Sequence, residues 1–238
     1  IPGQMMAAAR LNIPSIIAIC GYQPSGEYEG EHVDIEDVFL TAGHVLAGRV
    51  TAEKLEGMAD NAIRGPGVCS GMGTANSMHI ACEALGMSLA GSAPVAANSD
   101  KMFADIKAAG ARIVDMVWAD LKPRDIMTPE AFANAASAVL GVSGSINCVK
   151  HLQATAIEAQ SDVDVYALFD EFSDSVPVLA AVRPNGSDSI EAFEAAGGAA
   201  ALMKRLGAHI NGGALTVTGK TVAENLAGLS AVGDAVIR

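Results

Sequence analysis

The chain is 238 residues long, half apolar but only 4% aromatic, and carries a formal net charge of −12. Such a length buries a sizeable core, here one of Ala, Val, Ile, Leu and Met, and the negative balance excludes a nucleic-acid surface, which needs clustered Lys and Arg. No charged-then-apolar leader opens the chain, and the uncharged run 131–149 is interrupted by Asn134, Ser137, Ser143, Ser145 and Asn147, which excludes a membrane span there. Four cysteines, Cys20, Cys69, Cys82 and Cys148, form no CxxC pair and no dense framework, so a soluble protein of a reducing, cytoplasmic compartment is expected. The opening Ile1-Pro2-Gly3 lacks an initiator Met and reads as the interior of a longer chain.

In chain order, Ile13-Pro14-Ser15-Ile16-Ile17-Ala18-Ile19-Cys20 followed by Gly21 has the pattern of a strand buried in a parallel sheet. Asp34 reads as the N-cap of a helix to Ala47, and Thr51 as the cap of a second ending near Ile63. Helices are predicted over 73–85, 100–120, 129–140 and 147–159, the third opened by Thr128-Pro129-Glu130 with Pro at its first position. Strands are predicted at 176–182 and 214–218, with helical stretches around 188–195 and 198–207. This order predicts an α/β fold, helix-rich, with a mostly parallel sheet flanked by helices in three layers. One domain is expected over 1–220, and 221–238 reads as the start of a connection to a second domain.

The chemistry is expected at Gly65-Pro66-Gly67-Val68-Cys69-Ser70-Gly71-Met72-Gly73-Thr74-Ala75-Asn76, where one thiol sits in a glycine-rich loop running into a helix. Glycines let backbone approach a ligand closely, and the N–H groups of a helix start favour thiolate over thiol. Cys20, Cys82 and Cys148 lie within predicted elements and read as small buried apolar residues. His79 and Glu83, like Asn147 and His151, stand four apart on a helix; two ligands do not make a site, and satisfied or exposed histidines account for both pairs. The acids Glu27, Glu29, Glu31, Asp34, Glu36 and Asp37 read as a solvated loop and helix start. Neither glycine pattern that suggests a nucleotide holds: Asn76 replaces the third glycine of a dinucleotide fingerprint, and Ala214 the first glycine of a P-loop ending at Gly219-Lys220-Thr221.

Several of these strings resemble, in order, the dihydroxy-acid dehydratase and phosphogluconate dehydratase family, which also holds the aldonic sugar-acid dehydratases. They are Met6-Ala7-Ala8-Ala9-Arg10-Leu11-Asn12-Ile13-Pro14, the Cys69 loop with Glu83-Ala84-Leu85-Gly86-Met87-Ser88-Leu89, Lys122-Pro123-Arg124-Asp125-Ile126, Ser143-Gly144-Ser145-Ile146-Asn147, and Leu215-Thr216-Val217-Thr218-Gly219-Lys220-Thr221. The resemblance implies an enzyme, a hydro-lyase that eliminates water from a 2,3-dihydroxy carboxylate to give a 2-keto-3-deoxy acid. Its implied cofactors are an iron–sulfur cluster (2Fe–2S or 4Fe–4S) as Lewis acid, and Mg²⁺ at the substrate carboxylate; a serine alkoxide removes the C2 proton. Cys69 matches one of three cluster cysteines, and Ser70, Gly71, Met72, Gly73, Thr74 and Asn147 are the substrate-pocket candidates.

The resemblance further implies that the Cys-Asp-Lys motif and other metal ligands lie before Ile1 and the catalytic serine in a C-terminal β-barrel domain beyond Arg238, so no catalytic acid or base and no Mg²⁺ ligand is assigned within this chain. The chain alone is then expected to be inactive. A small-molecule hydroxy-acid substrate and a homodimer or homotetramer are its implied partners. Where branched-chain members carry Tyr after the Gly-Gly-Met of this loop, the chain has Gly73, as aldonate-type members do, and Ile146 replaces a usual Thr.

Overall fold

The computed structural model describes residues 1–229 and 235–238. Helix α1 (Pro2–Leu11) begins on a proline and is closed by Asn12 in the left-handed conformation. A short hairpin, β1 (Gly26–Tyr28) and β2 (Glu31–Val33), precedes α2 (Ile35–Leu46) and α3 (Ala52–Ala62), which are capped by Asp34 and Thr51 as the sequence predicts. At α2 the cap is reciprocal: Asp34 Oδ1 accepts from the N–H groups of Glu36 and Asp37, while Asp37 Oδ2 accepts from Asp34 N–H.

Next come α4 (Thr74–Ala84), α5 (Asp100–Trp118), α6 (Pro123–Ile126), α7 (Pro129–Gly141) and α8 (Asn147–Ala159). The chain continues through α9 (Val165–Ser173), α10 (Ile190–Ala195), α11 (Gly198–Leu206) and α12 (Val222–Ala227). The centre is α4, buried at every residue from Asn76 to Ala84 and packed against α7, α8 and α11. Helix α7 is buried almost as completely, and its run of alanines lets the neighbouring helices approach closely. No helix among the described residues is long and apolar enough to cross a membrane.

The mostly parallel sheet is a correction: among the described residues the only ladder is the antiparallel hairpin, which the sequence reading missed. Parallel pairing survives as isolated bridges, Tyr22 to Val68 and to Ala96, and Val182 to Asp188. The predicted strand 13–20 joins no ladder: Pro14 has no N–H to give, and the run's backbone bond to another segment is Ile17 N–H to Met87 O. The pairing happens just beyond it, at Tyr22, which donates to Val95 O and accepts from Ala97 N–H; Gly21 beside it sits at φ 84 with the place of a Cβ only 2.6 Å from Ala97 N, so only glycine allows that approach, and the pairing stays one bridge long on each side. In the predicted strand 176–182, Leu179 and Ala180 both donate to Gly141 O at the end of α7 instead of to a neighbouring strand. In 214–218 the backbone folds back on itself, Thr216 N–H donating to Lys220 O. Of the expected connection 221–238, part forms α12 and residues 230–234 lie outside the described residues.

Candidate functional site

The Cys69 loop is held from beneath by the first turns of α4. Asn76, fully buried, donates through Nδ2 to Cys69 O (2.7 Å) and Gly71 O (2.8 Å). Met72 N–H donates to Arg183 O at 2.6 Å, tying the loop to a segment far away in sequence. The Cys69 side chain is left half-buried, and a Cβ on Gly73 would meet nothing nearer than Cys69 Sγ, at 3.9 Å. Gly73 therefore leaves open space beside the thiol. Ser70 is buried with its hydroxyl unpartnered, next to the cysteine.

The loop 143–147 docks on the same helix start. Thr74 Oγ1 lies 2.9 Å from Ser145 Oγ and accepts from Asn147 Nδ2 at 2.9 Å, while Ser145 N–H donates to Ser77 Oγ. Thr74 and Asn147 open α4 and α8, so two helix N-termini meet at one hydroxyl and amide cluster beside the cysteine loop. The first N–H groups of α8 are taken up by Ser145 Oγ, Ser145 O and Ile146 O, so what the two helix starts share is the positive end of their dipoles, which favours a negatively charged group there. Ile146 stands at the N-cap of α8 without a side-chain cap bond and is 81% exposed.

Behind the loop, Arg183 joins Asp34 (3.1 Å), Asp37 (2.8 Å) and His32 (3.2 Å). Burial works against the guanidinium charge, but the two carboxylates more than offset it and raise its pKa. Glu36 abuts Gly71, where a Cβ would come within 2.8 Å of its Oε1, and its carboxyl is pushed up by burial and by Asp34 and Asp37. Asp34 is 2% exposed, so the solvated reading of the acids fails there: the α2 cap is a buried ion-pair partner. The partner is Arg183, and the sequence separation left no signal for it.

The Cys69 thiol is pushed up by its burial and by Glu36, with the N–H groups of Gly71 and Cys69 opposing. This corrects the expectation of a thiolate favoured by the helix start: α4 begins only at Thr74, and burial of the thiol, with Glu36, outweighs the nearby N–H groups. As a soft donor at a glycine-lined opening, Cys69 fits one position of an iron–sulfur centre. No other cysteine joins it: Cys20 is exposed, against the reading of it as buried, while Cys82 and Cys148 are buried in α4 and α8 with thiols pushed up to about 12. His32, Asp34 and Asp37 are close enough to share a cation, but Arg183 Nη1 already lies within 3.2 Å of an atom of each, so they do not fit a magnesium ion.

The helix pairs resolve as structural. His79 is buried, bonded to Asn76 Oδ1 at 3.3 Å, and burial pushes its imidazole down to about 4, which keeps the ring neutral. Asn147 reaches Thr74 in the site, while the His151 imidazole, on the same helix, is pushed down by burial and by Lys150. Glu83 accepts from Gly91 N–H and Ala93 N–H, each at 2.7 Å, and desolvation, opposed by these bonds, pushes its carboxyl up to about 7. A folded pKa above the unfolded value of 4.5 means that the native state holds the extra proton. Its contribution is complete below pH 4.5 and is lost as pH rises through 7, on the order of 3 kcal/mol. Unfolding titrations from pH 5 to 8 should show that decline in the native chain and not in Glu83→Gln; equal slopes in both would refute it.

The structure thus places a half-buried cysteine in a glycine loop, between two helix starts and an acid–arginine cluster, on a helical scaffold. A family model, dihydroxy-acid/6-phosphogluconate dehydratase N-terminal, matches residues 1–225. The chain belongs to that family. It is 41% identical over 227 residues to dihydroxy-acid dehydratase of Sulfurisphaera tokodaii, covering 94% of this chain and 40% of that protein. The same-named protein of Moorella thermoacetica is 40% identical over 96% of this chain and 42% of its own length, and that of Syntrophobacter fumaroxidans 41% identical over 100% and 43%. The chain thus spans about two fifths of the length of these relatives.

Proposed function

We propose that this chain is the cluster-presenting part of an iron–sulfur-dependent hydro-lyase that converts a 2,3-dihydroxy carboxylic acid to a 2-keto-3-deoxy acid. The observation that carries the reading is the half-buried Cys69 held by Asn76 beside the paired helix starts at Thr74 and Asn147. The chemistry such a centre supplies when bound is Lewis-acid neutralisation of a departing hydroxide, and Mg²⁺ with a base from other parts of the enzyme complete it. What the residues here do is narrower. Cys69 offers one thiolate, Asn76 fixes the loop carbonyls, and Thr74, Ser145 and Asn147 present hydroxyl and amide groups that orient a polar ligand.

The finer reading, a sugar-acid substrate, rests on Gly73. The open space beside the Cys69 sulfur removes an apolar wall and leaves room for the several hydroxyls of an aldonate. A branched-chain dihydroxy acid is the second reading, favoured by the relatives' names and by Ile146, an exposed apolar residue at the same cluster. In the full-length enzyme, kcat/KM for a pentonate or hexonate should exceed that for 2,3-dihydroxyisovalerate. Gly73→Tyr, which the backbone φ of −76 accommodates, should shift the ratio towards the branched acid by about tenfold or more, the 1–3 kcal/mol of one apolar wall. A native preference for the branched acid that this substitution leaves unchanged would decide for the second reading.

A further inference from the structure

Of the acids at the start of α2, the fold itself occupies Asp34 and Asp37. They share the reciprocal cap, and they hold Arg183 at 3.1 and 2.8 Å. Glu36 has no such partner. Among the described residues no N–H or side chain donates to its carboxylate, and Arg183 acts on it through charge alone. Nor are its oxygens walled in. The enclosed side-chain oxygens that lack a partner among the described residues belong to Ser70, Ser137, Ser161 and Glu191, so those of Glu36 are reachable from outside.

The free carboxylate leans on the cysteine loop. A Cβ on Gly71 would come within 2.8 Å of Glu36 Oε1 and 3.2 Å of Glu36 Cγ, so the glycine leaves the room that this side chain fills. Its charge reaches the Cys69 thiol, on which it is the largest influence after burial. Glu36 therefore flanks the loop from α2, as Thr74 and Asn147 flank it from α4 and α8. Stability alone does not select this residue. Burial, Asp34 and Asp37 all oppose its charge, and Arg183 is the one group that favours it. The start of α2 attracts negative charge, but the cap already supplies two carboxylates there. A half-buried acceptor that costs the fold and lies beside a ligand opening has the pattern of a binding residue.

We infer that Glu36 is a specificity-determining residue of the Cys69 site, its carboxylate accepting hydrogen bonds from substrate hydroxyls beyond C3. This rests on the sugar-acid reading, since an aldonate carries such hydroxyls and a branched-chain dihydroxy acid has only alkyl groups there. Hydroxyl-to-carboxylate bonds are charge-assisted and stronger than bonds between neutral groups. An alkyl group in the same place strips water from an unpaired carboxylate and returns no bond. Glu36 thus attracts the one class and repels the other, while Gly73 supplies room.

In the full-length enzyme, Glu36→Leu should lower kcat/KM for a pentonate by about tenfold or more, chiefly through KM, and leave that for 2,3-dihydroxyisovalerate within about twofold or raise it. Glu36→Gln keeps one acceptor oxygen without the charge, so its pentonate value should fall between those of the parent and Glu36→Leu. It should also melt no lower than the parent, because no hydrogen bond is lost and one carboxylate leaves the cluster. A native enzyme that takes the branched acid alone refutes the sugar-acid reading, and this assignment with it. An enzyme that takes the pentonate leaves that reading standing. The role of Glu36 is then refuted if Glu36→Leu changes both substrates equally or neither, or if Glu36→Gln melts several degrees lower.

Discussion

Replacing Cys69 by Ser in the full-length enzyme, purified without oxygen, should remove the visible iron absorbance and bound iron together and reduce turnover at least a hundredfold. The reason is the ligand's softness: a hydroxyl cannot replace a thiolate on an iron–sulfur centre, and no other described cysteine lies in this loop to substitute. The fold itself should survive, because the side chain is half-buried and the loop is held through the Cys69 carbonyl, which Asn76 grips from the backbone side. Circular dichroism and thermal unfolding of the variant are therefore expected to match the parent in its iron-free form. Full iron content and full turnover in Cys69→Ser would remove Cys69 from the cluster, and with it the central claim about this domain.

The second large effect is expected at Arg183. Removing its guanidinium, as in Arg183→Met, leaves Asp34 and Asp37 facing each other without their cation, with the Asp34 side chain only 4% exposed. Stranding buried carboxylates costs about 2–4 kcal/mol, lowered from the fully buried range because the arginine side chain is 30% exposed. For a chain of this size that corresponds to a fall of about 5–15 °C in melting temperature. Combining Arg183→Met with Asp34→Asn and Asp37→Asn should recover most of the loss, since Asn keeps the α2 cap and no charge is stranded. If the triple variant is no more stable than the single one, the ion cluster is not what Arg183 contributes. In the full-length enzyme the single variant should also loosen the Cys69 loop, which hangs from Arg183 O through Met72.

The helical part of the fold was legible because its signals are local. Asp34, Thr51, Thr128 and Ser189 each sit at a cap whose side chain bonds an N–H two or three residues on, and such contacts are written in adjacent letters. The strands were misread for the converse reason. Apolar β-branched runs such as 13–20 and 176–182 promise an extended backbone, but whether it joins a ladder depends on which partner lies alongside. Here the partners are single bridges at Tyr22 and the carbonyl of Gly141.

The candidate site divides in the same way. From the sequence alone came the cysteine, its glycine loop and the helix that follows, because all of these lie within a dozen residues of one another, while the expectation of space at Gly73 came from the Tyr that branched-chain members of the family carry there. Only the tertiary structure decided that Asn147 reaches Thr74, that Arg183 occupies the centre of the acids at the start of α2, and that burial, with Glu36 and Asp34, pushes the Cys69 thiol up. Spacing along a chain specifies what a segment offers locally. Electrostatic environment and ligand geometry are sums over neighbours in space, and packing of α4 against α7, α8 and α11 is what selects those neighbours.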